Sequence, residues 1–262
     1  MSVMKSDVPL KIDHFVIVVT DLDQAISNFT ELGFNVERGG INGPTHNAII
    51  FLKNQIYIEL IATRSRFSRI IFRGLFLLGV FHFLDFIRPF LYWRFACWLG
   101  GTQGLRDWCI KSDDIDGFCS LPKREEVNIS RKYFFSRERP DGEVLNWFLA
   151  GPSDRNLPFL IQDITDHSLR IPLNSNCDHP NKVECVSAII LNRDKVFKHK
   201  SKFLHYLALD ESADEVLALD GVLIRVSSDK SAPMMALEFL SDGGVSGELS
   251  KVLTAGASLR IT

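Results

Sequence analysis

Apolar and polar positions along this chain fall into a block that recurs. Residues 12–19 are a run of Ile, Val and Phe interrupted only by Asp13 and His14, and Thr20-Asp21 can cap a helix after it. Leu22, Ala25, Ile26, Phe29 and Leu32 then repeat at helical spacing, with Gly33 as the stop. Residues 34–38 alternate like a strand, and Gly39-Gly40 with Gly43-Pro44 reads as a loop. Two further strands are predicted over residues 47–52 and 55–61, joined by a tight turn at Lys53-Asn54. The first module, residues 10–62, is therefore strand, helix, strand, strand, strand. Glu59 lies between apolar neighbours in its last strand, where a carboxylate is costly to bury unless it binds something.

The block returns over residues 104–164. Laying Asp114-Ile115-Asp116 on Asp21-Leu22-Asp23 sets Asp107 opposite His14 and Trp108 opposite Phe15. A helix over residues 115–121 is cut short by Pro122. Strands follow at residues 129–137, 143–150 and 157–163, with Arg139-Pro140-Asp141-Gly142 as a hairpin turn. Matching Phe159-Leu160-Ile161-Gln162 to Tyr57-Ile58-Glu59 sets Gln162 opposite Glu59.

A linker, residues 165–182, is rich in Pro, Asn and Ser and has no clear period. A third copy is predicted over residues 183–242: a strand at 183–191, a helix at 194–206, and strands at 215–219, 222–227 and 234–240. Val196, Phe197, Phe203 and Leu204 form the apolar side of its helix. Ser187 and Glu238 take the places of His14 and Glu59, and residues 243–262 are left as a tail. Such a repeat is hard to obtain by accident. An odd number of modules predicts a homodimer, because an unpaired sheet keeps an open edge and face.

Between the first two modules lies an insertion, residues 63–101, that carries Phe67, Phe72, Phe76, Phe81, Phe83, Phe86, Phe90 and Phe95 with Trp93 and Trp98. Arg64, Arg66, Arg69, Arg73, Arg88 and Arg94 interleave with them, opposed only by Asp85. Its longest uncharged run is too short to cross a bilayer. It reads as one or two helices, broken near Pro89, that cap the protein; a membrane-surface face, a dimer contact and a lid over an apolar ligand are the alternatives.

Composition narrows the function classes. Hydrophobic residues make up 46% and charged residues 24%, and the net charge of -2 gives no footprint of a nucleic-acid binder. Cys97, Cys109, Cys119, Cys177 and Cys185 form no CxxC pair, which points to reduced thiols in a cytoplasmic protein. No secretory leader is read at residues 1–7. Cys109 and Cys185 read as inert strand residues, and His199 and His205 as solvated. Glycine-rich phosphate loops, GxSxG elbows and HExxH pairs are absent from the sequence.

Ile12-Asp13-His14-Phe15-Val16-Ile17, Thr45-His46-Asn47-Ala48 and Tyr57-Ile58-Glu59-Leu60-Ile61 resemble the glyoxalase-like branch of the vicinal oxygen chelate superfamily. Gly104-Leu105-Arg106-Asp107-Trp108, Arg139-Pro140-Asp141-Gly142 and Leu157-Pro158-Phe159-Leu160-Ile161 resemble its second half. The resemblance covers residues 11–165. It implies an α+β fold in which βαβββ modules pair into a curled mixed sheet, with metal ligands on the first and last strands of each module. Carried over, those ligands are His14, Glu59, Asp107 and Gln162, with Glu59 also the catalytic group. The ion would be divalent: Fe, Mn, Ni, Zn or Mg. Asp107 stands where an extradiol dioxygenase carries a second histidine, and Gln162 where a second glutamate is expected.

His46 and Asn47 face the cup by resemblance, or cap a turn. Arg139 either holds an anionic substrate group or anchors the hairpin. Trp108 and Trp147 are core, or walls that flank a flat ligand. Two functions are implied: a metal-dependent lyase, isomerase or dioxygenase acting on a small oxygenated molecule, or a metal-free protein that sequesters an apolar or aromatic compound.

Overall fold

The computed structural model describes residues 10–80, 90–121, 126–139, 141–172, 176–195, 200–207, 216–244 and 246–262. The expected break at Pro89 with Phe81, Phe83, Asp85, Phe86 and Arg88, the stop at Pro122, Pro140, Val196, Phe197, His199 and the strand start at residue 215 lie outside these.

β1 (Lys11–Val18), α1 (Leu22–Glu31), β2 (Glu37–Asn42), β3 (Thr45–Phe51) and β4 (Tyr57–Thr63) form the first module. Asp21 caps α1 by accepting from the Gln24 amide, and Gly33 ends it at a φ of +84°. α2 (Arg66–Leu77) and α3 (Phe90–Gly100) come next, packed against each other. β5 (Gly104–Lys111), α4 (Ile115–Cys119), β6 (Tyr133–Glu138), β7 (Val144–Ala150) and β8 (Phe159–Asp163) form the second module.

These eight strands make one sheet in the order β2-β3-β4-β1-β5-β8-β7-β6, and β2 and β6 approach each other so that it nearly closes. β1 runs parallel to β4, β5 runs parallel to β8, and β1 and β5 join antiparallel at the centre. Across that seam His14 pairs with Cys109 and Val16 with Asp107, with register shifts at Asp13 and Arg106. An approximate two-fold that exchanges the strands thus exchanges His14 with Asp107 and Val16 with Cys109.

β2 corrects one expectation. It runs through Gly39-Gly40, which read as loop, with an irregular register against β3. A Cβ on Gly39 would meet Asn47 Oδ1 at 2.1 Å, and one on Gly40 would meet Arg137 Cδ at 2.6 Å. The glycines are there for close approach within a strand.

The strand order also revises the third module. After α5 (His167–Arg170), β9 (Val183–Asn192), α6 (Lys200–Leu207), β10 (Val216–Leu219), β11 (Val222–Ser227), β12 (Met235–Ser241), β13 (Gly247–Glu248) and β14 (Ser258–Ile261) form a second sheet, ordered β10-β11-β9-β12-β14-β13. β11 lies parallel to β9 as β4 does to β1, and β12 lies antiparallel to β9 as β5 does to β1. β14, parallel to β12, answers β8. So β12 opens a reduced fourth module, and the expected tail at residues 243–262 supplies its strands. Glu238, on β12, answers no Glu59; it pairs with Arg225 at 2.6 Å. The second sheet finds its partner within the chain, which removes the argument for a dimer from an odd module.

One core holds the two sheets together. Phe15, Ile17, Trp108 and Ile110 from the first sheet meet Val186, Ile189, Leu237 and Phe239 from the second, with Phe29, Phe118 and Phe203 from the helices. Each such side chain contributes about 1.5–3 kcal/mol on burial. The other face of the first sheet is left to form a cup.

Candidate functional site

The cup encloses a cavity of about 850 Å³. Its wall is aromatic: Tyr92, Trp93, Phe95 and Trp98 from α3, Phe72 from α2, and Tyr133, Phe135, Trp147 and Phe159 from the second module. Its polar groups gather on the first module, at His14, His46, Asn47, Tyr57 and Glu59, with Arg137 and Arg170. An apolar cavity with a few convergent polar groups is the usual form of a small-molecule site.

His14 is 4% exposed and fixed on every side. Its ring stacks on Tyr57 with centroids 4.7 Å apart, and Phe159 meets it edge-on at 5.3 Å. Its Nδ1 donates to Asp13 Oδ1 at 2.6 Å, because an ionised carboxylate can only accept. That leaves Nε2 as the free ring nitrogen, 3.9 Å from Glu59 Oε2. Asp13 is held in turn by Arg170, which donates to Oδ1 at 2.7 Å and Oδ2 at 2.6 Å, and also reaches Tyr57 and Asp163. Burial pushes the Asp13 carboxyl up, but the Arg170 charge and the hydrogen bonds outweigh it and hold Asp13 far below the usual carboxylate range.

Glu59 lies in the cup because β4 alternates, so that Tyr57, Glu59 and Ile61 share one face. Asn47, paired with Ile61 and so diagonal to Glu59 across β3 and β4, donates to Glu59 Oε1 at 2.5 Å. Asn47 Oδ1 accepts from the Gly40 amide at 2.8 Å and from Arg137 at 3.5 Å. Arg137 Nε is buried without a hydrogen-bond partner, and among the described residues no carboxylate pairs with Arg137. A cation facing a cavity without an acid partner favours an anionic ligand group.

The second half of the cup is sealed. Asp107 is the two-fold counterpart of His14, as its spacing predicts, but it does not line the cup cavity. Arg94 of α3 donates to Oδ2 and Oδ1, each at 2.6 Å; Trp98 Nε1 and the Trp108 amide add bonds of 2.9 Å. Four donors occupy the carboxylate, and none of its lone pairs is left for a ligand. Burial raises the Asp107 carboxyl from its ordinary value against the pull of Arg94.

Gln162 is also displaced from its expected place. Glu59 pairs beside Val16, and Phe159 pairs beside Cys109. The counterpart of Glu59 is therefore Phe159, three positions from Gln162. An odd shift turns a strand residue to the other face, and there Gln162 Oε1 accepts from the Ile115 amide at 3.1 Å.

The structure thus brings His14, Glu59, His46, Asn47 and Trp147 to one cavity and leaves four expected residues outside it. Besides Asp107 and Gln162, Trp108 is packed in the core between Phe15 and Phe203. Arg139 anchors the hairpin through the Leu169 carbonyl at 2.8 Å and Asp141 at 2.7 Å.

This arrangement does not fit the expected four-ligand divalent site. A bound metal ordinarily takes three or more protein ligands, and only His14 Nε2 and Glu59 offer free donor atoms from the expected set. Asp13, His14 and Cys109 do place one potential ligand atom each within 4.8 Å of one another. Yet both Asp13 oxygens are bonded to Arg170, His14 Nδ1 is bonded to Asp13, and burial pushes the Cys109 thiol well up. That trio is already satisfied as a protein network.

Four site residues escaped the sequence reading: Asp13, Arg94, Arg137 and Arg170. Asp13 left a trace, as an acid beside a histidine in an apolar strand. Arg94 left one too, as a charge amid Leu91, Trp93, Phe95 and Trp98 that needs a buried acid. Arg170, in the patternless linker, and Arg137, in an ordinary strand, left none.

Comparison with known proteins agrees with this architecture. The profile of a glyoxalase-like domain matches residues 12–207. A hypothetical protein from Staphylococcus aureus superposes with a TM-score of 0.73 at 18% identity, over 97% of this chain and 99% of its own. The Mn(II)-bound glyoxalase from Novosphingobium aromaticivorans gives 0.45 at 8% identity, over 89% of this chain and 66% of its own. Methylmalonyl-CoA epimerase from Mycobacterium tuberculosis gives 0.38 at 21% identity, over 64% and 97%. A search of curated proteins returned no match. With paired βαβββ modules around a cup and the domain profile spanning most of its length, the chain belongs to the glyoxalase-like domain family of the vicinal oxygen chelate superfamily.

Proposed function

We propose that the cup binds a small molecule with an apolar or aromatic body and an oxygen-bearing, anionic head, and that His14 and Glu59 move a proton at that head. The observation that carries this reading is the pair itself. His14 Nε2, freed by the Asp13 bond, and Glu59 Oε2 are two proton acceptors 3.9 Å apart at the polar end of an aromatic cavity. Such a pair suits isomerase or lyase chemistry next to a carbonyl: one of the two bases takes a proton from carbon, and the acid it becomes returns that same proton at the neighbouring atom. Arg137 supplies positive charge for a carboxylate or a developing enolate. Asp13, held by Arg170, fixes the tautomer and ring orientation of His14 from behind the ring. No step requires a metal, and the donor set gives a metal-dependent reaction little support.

The test is deuterium exchange by NMR with a panel of aryl- and alkyl-substituted 2-oxo and 2-hydroxy acids in D2O. The wild type is expected to exchange a carbon-bound proton of at least one compound that it binds, and Glu59→Gln to bind that compound without exchange. Binding without exchange would favour the second reading, a metal-free sequestering protein, which the aromatic wall supports by itself. Metal analysis of untagged protein sharpens the choice. Stoichiometric metal that is lost in both His14→Ala and Glu59→Ala would overturn the metal-free form of the proposal.

A further inference from the structure

α2 shows apolar side chains on two sides. Its inner side belongs to the cup: Phe72 lines the cavity, and Phe76 packs so closely on α3 that a Cβ on Gly100 would meet its Cβ at 2.6 Å. Its outer side is exposed among the described residues. Phe67, Ile70 and Leu77 are 72%, 66% and 68% exposed, and Ile71 and the C-cap Leu78 are exposed beside them. Winding at about 100° per residue gathers these five and Gly74 on one arc of roughly 120°. Arg66 and Arg73 border that arc, Arg64 precedes it, and the helix contains no acidic residue.

A basic first turn opposes the helix dipole, so Arg66 and Arg69 weaken α2 as an isolated helix. Their placement beside an exposed apolar stripe instead matches a surface that is itself negative and apolar beneath. We infer that α2 lies on an anionic lipid bilayer, with Phe67, Ile70, Ile71 and Leu77 entering the acyl boundary and the arginines meeting the headgroups. No described helix is long and apolar enough to cross a membrane, so the contact is at the surface. The Arg64 amide donates to the Pro44 carbonyl, and Pro44 and Phe72 both line the cavity. The docked helix would therefore hold the cup against a source of apolar ligands. The inference stands independently of the chemistry assigned to His14 and Glu59.

Flotation of the full chain with vesicles tests it, using phosphatidylcholine alone and phosphatidylcholine mixed with phosphatidylglycerol. The expected result is flotation with the anionic vesicles only, weakened by salt. Ile70→Asp/Leu77→Asp should abolish it, and Arg64→Gln/Arg66→Gln should lower the partition coefficient roughly thirtyfold. All four positions are exposed, so circular dichroism should be unchanged. Protein that stays unbound with anionic vesicles overturns the inference. So does a dimer in sedimentation velocity that Ile70→Asp/Leu77→Asp dissociates while vesicle binding is absent, since a second copy would then cover the face.

Discussion

On β1 and β4 the cup presents His14 and Glu59 to the cavity; on β5 and β8 the equivalent positions hold Asp107 and Phe159, and neither offers a free donor atom. The central strands pair in the same way in both halves, down to the register shifts at Asp13 and Arg106. The difference lies in what each polar group meets. Arg170 holds Asp13, which lies behind His14 and leaves its Nε2 free. Arg94 holds the counterpart of His14 itself and closes that position. One half keeps reactive atoms free by satisfying their neighbours, and the other satisfies the atoms themselves. A repeat therefore identifies equivalent positions without making them equivalent in function.

The comparison breaks hardest at Arg94. Arg94→Met leaves Asp107 buried without its charge partner and is expected to cost about 3–5 kcal/mol in urea denaturation, whereas Arg94→Met/Asp107→Leu should recover most of that loss. An unchanged midpoint in the single variant would show that the sealed half is not held by this pair. On the open side, Glu59→Gln or His14→Gln should lower turnover by about 10²–10⁴-fold with a much smaller change in stability. Equal losses of stability would mark both residues as structural.

Acid titration probes the support behind His14. Asp13 and Asp163 are both held below the ordinary carboxylate value of 3.8. Burial raises each of them; Arg170, with His14 at Asp13 and His167 at Asp163, more than compensates. The stability they confer is present above that value. It is lost as pH falls, because the unfolded chain takes up protons that the folded chain refuses. The slope should approach ~1.4 kcal/mol per pH unit for each carboxyl. Arg170→Met should flatten it, as followed by denaturation between pH 5 and 2 (about the range where the linkage acts). The smallest effect is expected at Asn47→Ala, about 0.5–1.5 kcal/mol, from losing the bonds to Glu59 and Gly40. Its sharper readout is ligand affinity, which should fall if Asn47 aims Glu59 and stay level if it only ties β2 to β3.

Local pattern carried much of the architecture. Period-2 and helical spacing, the Asp21 and Asp114 caps and the Gly33 stop place β1, α1, β4, β5 and α4, and the caps alone align His14 with Asp107. The same method failed at β8, where the motif match put Gln162 opposite Glu59. A run such as Phe159-Leu160-Ile161 has no internal mark of register, and hydrogen bonding to β5 decides it. Asn47 and Trp147 reach the cavity and Trp108 does not, although all three are strand residues of similar promise. Which face of the sheet is covered by the second sheet and which by α3 is a long-range fact.

Short-range chemistry thus settles the first two modules and their order, and it singles out His14 and Glu59, which both line the cup. Partner choice among distant charges settles the rest. Arg94 reaches Asp107, Arg170 reaches Asp13, and Arg137 reaches Asn47 only because folding brings separate segments together. Buried charge must find compensation wherever the fold supplies it. For that reason the strands that carry the site could be read along the chain, while the pairings that open one half of the cup and seal the other are set by the tertiary structure.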